Sequence, residues 1–166
     1  KEKTSFKWVH NNLGTNMRMT EVQAGVGRIQ LKSLKNNIKR RRYLARIFKK
    51  ELSSSNLFQL PSNIKGYYNA YYKIYLFLNK KLLKKQFTRS SIISLLKEQN
   101  IKCSVGSCPE IYKEKLFKKI KLFEELPNAN SLGKLSIAFS VNQFQKKNYA
   151  LKVCNALKNI EKKFTS

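Results

Sequence analysis

The 166-residue chain contains no aspartate, a single histidine and only three cysteines, and each scarcity removes a class of chemistry. Cys103, Cys108 and Cys154 lack C-x-x-C spacing, and His10 alone cannot complete a His/Cys cluster, so reduced thiols and no metal site are expected. His10 stands far in sequence from Cys103 and Cys108, which argues against a Cys/His nucleophilic pair. With aspartate absent, paired carboxylates can come only from the nine glutamates. Glu110 and Glu114, one helical turn apart beside Lys113 and Lys115, read as a surface ion-pair face. No glycine-rich loop precedes a helix in phosphate-loop or dinucleotide spacing. No apolar run approaches about 18 residues, and the opening residues do not form a signal peptide, so a soluble, cytoplasmic protein is expected. Taken alone, the chain does not look like a finished enzyme.

Positive charge is abundant. Lysine and arginine number 35 against nine glutamates, a net charge of +26 that would draw nucleic acid, an anionic membrane surface or a phosphorylated ligand. Yet 28 of the 35 are lysines spread along the whole length, the pattern of solvated helix faces. A basic protein that engages nucleic acid through lysine-rich helices remains an alternative. The 42% hydrophobic content, with ten phenylalanines and eight tyrosines, argues for a folded domain with a real core.

From Thr20 to about Ser53 the apolar positions Ala24, Gly27, Leu31, Leu34, Ile38, Ala45, Phe48 and Leu52 keep helical steps. Val22, Val26 and Ile29 add a second stripe to the first half, which should therefore be buried on two sides. A helix of that length spans about 50 Å and suits a bridge between two lobes or two subunits. Ser53 to Gly66 carries turn chemistry. Tyr71 to Leu78 reads as a central strand, Arg89 to Gln99 as a helix capped by Thr88, and Ile101 to Val105 as a second strand. Glu110 to Phe117 suggests a helical turn, Asn128 to Leu132 a short helix and Leu135 to Val141 a third strand. A final helix covers about Gln145 to Lys163, with Tyr149, Ala150, Val153, Cys154, Leu157 and Ile160 inward. The expected fold is a long helix followed by an α+β lobe.

The most informative stretch is Gly14 to Ala24. Gly14 permits a tight bend, Asn16 and Arg18 offer directional donors, and Thr20 with Gln23 forms a capping box for the helix that follows. Such a bend can hold a phosphate or carboxylate; a helix-start loop with a solvent-facing arginine fits the same spacing.

The run Ser5 to Ala24, continuing through Gly27-Arg28-Ile29-Gln30-Leu31, resembles the G-x-N-x-R-M-T-E-x-Q-A segment of the pyridoxal-phosphate-dependent nucleotide-sugar aminotransferases of the DegT/DnrJ/EryC1/StrS family. Arg40-Arg41-Arg42 resembles the basic patch late in the same helix, and Ala70-Tyr71-Tyr72-Lys73 the aromatic start of a strand. Gly106 to Tyr112 is similar to the loop near the active site, and Leu126-Pro127 with Leu132-Gly133 to the late segment.

That resemblance implies the C-terminal part of a fold type I aminotransferase. Residues 1–19 would be a loop of the large domain, 20–53 the interdomain helix, and 54–166 the small domain, a short antiparallel sheet packed with helices. The Schiff-base lysine, the acidic partner of the pyridinium nitrogen and the stacking aromatic would lie upstream, so this chain alone is expected to be inactive. Asn16 would reach across a homodimer interface to the phosphate of pyridoxal 5'-phosphate, and Arg18 would clamp that phosphate or the carboxylate of the amino donor, glutamate. His10, Asn69, Ser107, Glu110 and Tyr112 would contact the nucleotide-sugar. His10 also fits as a packed or interface histidine, and the loop residues as packing. Two departures stand out: Asn69 replaces the histidine of His-Ala-Tyr-Tyr, and Val141-Asn142-Gln143 replaces Val-His-Pro. An amide donates a hydrogen bond but does not titrate near neutrality, so specificity or activity could differ there. A remnant that works only beside a partner carrying the cofactor lysine is a further alternative.

Overall fold

The computed structural model describes residues 6–15, 18–84, 86–119 and 124–164. Helix α1 runs over Glu21–Glu51, 31 residues or about 46 Å. The capping box expected at its start is present: Gln23 N donates to Thr20 Oγ1 at 3.3 Å and Thr20 N donates to Gln23 Oε1 at 2.9 Å. Strand β1 (Phe58–Gln59) follows, then β2 (Lys73–Leu78), α2 (Arg89–Glu98), β3 (Cys103–Ser104), α3 (Pro127–Leu135), β4 (Ser136–Ser140) and α4 (Lys147–Phe164). Two 3-10 turns, Ile111–Lys113 and Lys115–Lys119, occupy the segment that reads as a helical turn in the sequence. The fold is α+β, as the sequence indicates.

The strands pair antiparallel in the order β1-β2-β4-β3, which makes β2 a central strand. Its residues alternate between buried Ile74, Leu76 and Leu78 and half-buried Lys73, Tyr75 and Phe77. The core lies under the first set, against Leu44, Ala45 and Phe48 of α1, Ile92, Ile93 and Leu96 of α2, and Val153, Cys154 and Leu157 of α4. Tyr149 is only half-buried, whereas Ala156 and Phe164 join the core from the same helix. Glu161 of α4 fixes the turn after α1, accepting from Asn56 N and Leu57 N at 2.9 Å each and from Ser55 Oγ at 2.7 Å. Strand β1 emerges from what reads as turn chemistry because Leu57 and Phe58 are fully buried and two ladder positions suffice to pair them with β2.

Only the C-terminal half of α1 belongs to this core. Its N-terminal half carries the two expected apolar stripes, but in this chain they face outward, with Val22 78% exposed. One stripe lines an open groove of about 550 Å³ formed by Met19, Ala24, Gly27, Leu31, Leu34 and Ile38.

Candidate functional site

The extended segment before α1 is pinned to the loop that precedes α3. Trp8 Nε1 donates to the Glu110 carbonyl at 3.0 Å, His10 N donates to Glu114 Oε2 at 3.0 Å, and Leu116 N donates to the His10 carbonyl at 3.0 Å. His10 Nδ1 lies 3.0 Å from Glu114 Oε1. Arg18 is exposed beside the start of α1; Asn16, the other expected phosphate ligand, lies outside the described residues.

Glu110 and Glu114 depart from the surface ion-pair face that their spacing suggests, being only 4% and 5% exposed. The Glu110 carboxylate accepts from the Tyr112 hydroxyl and from Asn130 Nδ2 at 3.2 Å, and pairs with Lys113 Nζ at 2.9 Å. Burial pushes its pKa up, but the donors Tyr112, Lys113 and Asn130 outweigh burial and hold it below the ordinary carboxylate value. Glu114 is likewise pushed up by burial and brought below its ordinary value by hydrogen bonds from His10. Both carboxylates tolerate burial because donors satisfy them, Tyr112, Lys113 and Asn130 at Glu110 and the distant His10 at Glu114. Tyr112 also accepts from Leu126 N at 3.1 Å, so Glu110 and Tyr112 sit in one internal network.

Ser107 belongs to a second cluster. Its backbone N donates to Tyr75 Oη at 3.1 Å, and its hydroxyl lies 3.1 Å from the same oxygen. Gly106, at φ +98, brings the loop so close to Tyr75 that a Cβ there would lie 2.6 Å from the ring. Asn69, the residue in place of histidine, is exposed and accepts from Tyr71 N at 2.7 Å, fixing a turn in which Tyr71 takes φ 50. Asn142, at the other departure, accepts from Phe144 N at 3.0 Å. Arg40 and Arg41 hold the same loop, donating to the Gln145 carbonyl at 3.0 Å and to Gln143 Oε1 at 3.4 Å.

Sequence reasoning overlooks the largest polar cleft of this region. Lys35, Lys39, Arg42, Arg46 and Lys49 fall on one stripe of α1 and face Tyr67, Tyr68 and Tyr71 across a groove of about 680 Å³, with Asn63 and Asn69 at its wall. None of the described lining residues is acidic. Lys49 Nζ donates to Asn63 Oδ1, which also accepts from the Tyr71 hydroxyl at 3.2 Å. The signal was the i, i+4, i+7, i+11, i+14 spacing of the cations, hidden among lysines that read as solvated surface. Five donors of positive charge beside aromatic faces suit a phosphorylated ligand that carries a ring. Among the described residues, no three His, Cys or Glu side chains gather as a metal site, and no helix is long and apolar enough to cross a membrane.

The sequence matches the model of the DegT/DnrJ/EryC1/StrS aminotransferase family over residues 1–158, and the chain belongs to that family. No curated protein matches it. Among solved structures, an aminotransferase from Psychrobacter cryohalolentis is 28% identical with a TM-score of 0.80, over 96% of this chain and 43% of that one. Helicobacter pylori PseC, an aminotransferase involved in the biosynthesis of pseudoaminic acid, is 16% identical with a TM-score of 0.76, over 93% of this chain and 40% of that one. GDP-4-keto-6-deoxymannose-3-dehydratase, solved with a trapped PLP-glutamate geminal diamine, is 18% identical with a TM-score of 0.66, over 87% of this chain and 37% of that one. The chain thus has the fold of part of a fold type I aminotransferase and spans about two fifths of the length of these proteins.

Proposed function

We propose that this chain is the C-terminal portion of a pyridoxal-phosphate-dependent enzyme that moves an amino group from glutamate to a keto group on a nucleotide-linked sugar. The observation that carries the reading is the basic, tyrosine-walled groove along α1, in a chain that belongs to an aminotransferase family. Its cations take the diphosphate and its tyrosines flank the base or sugar. In this reading α1 is the interdomain helix, residues 54–166 are the small domain, and the outward apolar stripes of α1 receive the large domain.

The donor set at the bend fits the phosphate of the cofactor or the carboxylate of the donor. An exposed guanidinium at Arg18 stands beside the positive end of a 31-residue helix; the family resemblance would have Asn16, outside the described residues, add a neutral donor. Bound pyridoxal phosphate supplies an electron sink for the nitrogen exchange. The cofactor lysine and its acidic partner come from the rest of a longer protein, and the bend acts across a homodimer interface, so this chain alone is inactive. Ser107 and Asn69 border the sugar subsite, while Glu110 and Tyr112 hold the loop that shapes it. A cytoplasmic location accords with nucleotide-sugar substrates.

The test supplies the full-length protein with pyridoxal phosphate, glutamate and keto sugars linked to uridine, thymidine or guanosine diphosphate. Formation of 2-oxoglutarate together with an amino sugar nucleotide, detected by mass spectrometry, is the expected result. Loss of the keto oxygen's neighbouring hydroxyl without retention of nitrogen would indicate a dehydratase instead. The groove also gathers cations and aromatics as single-stranded nucleic acid requires; tight binding of unrelated oligonucleotides with a steep salt slope would favour that second reading.

A further inference from the structure

At its Lys49 end the basic groove adjoins a second, smaller cavity of about 80 Å³. The two share Lys49, Asn63, Asn69 and Tyr71, and the smaller one adds Lys73 and Tyr75 of β2. Two ammonium groups thus line one small space, and none of its described lining residues is acidic. Among the described ion pairs, none involves either lysine. Lys49 Nζ donates to Asn63 Oδ1, which takes the Tyr71 hydroxyl as well, so Asn63 has only Nδ2 donors left to offer a ligand. Lys49 keeps two further N–H donors, and Lys73 Nζ rests 5.6 Å from the centroid of the Tyr72 ring. Like charges lining one cavity repel each other, and an anion bound between them relieves that repulsion. Size narrows the ligand further: the cavity has about half of the ~150 Å³ that accommodates a benzene ring, which suits one small anionic group and not a nucleobase.

We propose that Lys49 and Lys73 bind a carboxylate carried by the sugar, so that the substrate is a nucleotide-linked keto sugar acid. The inference rests on the nucleotide-sugar reading of the groove and adds the acid group to it. Lys35, Lys39, Arg42 and Arg46 serve the diphosphate along α1, which leaves the Lys49 end for the sugar that Asn69 borders. Lys49 stands where the two cavities meet and serves both. Lys73 lines only the smaller one, which makes it the residue that tells an acidic sugar from a neutral one. The carboxylate of the amino donor shares this chemistry, and the experiment separates the two sources.

Calorimetry on the full-length protein compares uridine diphosphate glucuronic acid with uridine diphosphate glucose, and guanosine diphosphate mannuronic acid with guanosine diphosphate mannose. Within at least one pair the acid should bind about tenfold tighter than its neutral counterpart at low salt. Lys73→Gln should bring the acid down to the neutral level, and Lys73→Arg should keep the preference. Equal affinity within both pairs in the wild type would overturn the inference however the variants behave, while the groove still stood as a nucleotide site. Failure of all four ligands to bind would refute the nucleotide-sugar reading of the groove, and the inference with it. In amino-transfer kinetics, a raised KM for glutamate in Lys73→Gln, with the acid preference intact, would assign the cavity to the donor and overturn the inference.

Discussion

The Arg42 guanidinium carbon lies 3.3 Å from the centroid of the Tyr68 ring. A planar cation over an aromatic face is held in place, and Arg42 lines the groove together with Lys39 and Arg46. Tyr68→Ala should therefore weaken binding of uridine or thymidine diphosphate by about tenfold, a loss of ~1.4 kcal/mol. Arg42→Lys should also weaken it, because an ammonium cannot reproduce the stacked fork. Calorimetry at one low salt concentration reads both; unchanged affinity in each variant would separate the groove from nucleotide binding.

Gly106 is required for two independent reasons: its φ of +98, and the mere 2.6 Å that would separate a Cβ at this position from Tyr75 Cε1. Gly106→Ala should cost about 1–3 kcal/mol in urea unfolding. It should also displace Ser107 from Tyr75. Gly25→Ala, in open space on α1, should cost nothing and is expected to stabilise the helix slightly. Equal midpoints for the two alanine variants would show that the loop does not pack on β2 as described.

Acid should loosen the segment that bears His10. Glu110 and Glu114 have folded-state pKa values below the ordinary 4.5, so each contributes stability at higher pH. That contribution fades as the pH falls below the unfolded value and through the folded one. Amide exchange at His10 and Leu116 should accelerate as the pH falls below about 4.5, after correction for intrinsic rates. Glu114→Gln should remove most of that pH dependence at His10. A flat profile in the wild type would contradict the linkage.

Cys154 is buried in α4 and burial pushes its thiol up to about 12, whereas Cys108 is only partly covered. Thiol alkylation at neutral pH should label Cys108 first, Cys103 more slowly because burial raises its thiol too, and Cys154 only on unfolding. Mass mapping of a time course gives the order, and early labelling of Cys154 would place α4 outside the core.

Local chemistry explains which parts were legible in the sequence. The caps at Thr20 and Thr88 and the apolar periodicities of α1, α2 and α4 depend on residues a few positions apart, and these elements appear where expected. The burial of Glu114 was illegible because its partner His10 lies 104 residues away, and that of Glu110 because Asn130 reaches its carboxylate from 20 residues on while Trp8, 102 residues away, binds its backbone carbonyl. The groove was missed for a similar reason. Its cations are legible as a stripe, but the tyrosines come to face them only when β2 pairs in the sheet and carries the loop before it back along α1.

The sharpest test lies at Arg18, in the full-length protein: the dissociation constant of pyridoxal phosphate and the KM for glutamate, wild type against Arg18→Ala. One charge-assisted contact contributes about 1.5–3 kcal/mol, so one of the two constants should rise by roughly tenfold or more. Both unchanged, in a variant that folds and turns over, would mean that the bend before α1 grips neither cofactor nor donor.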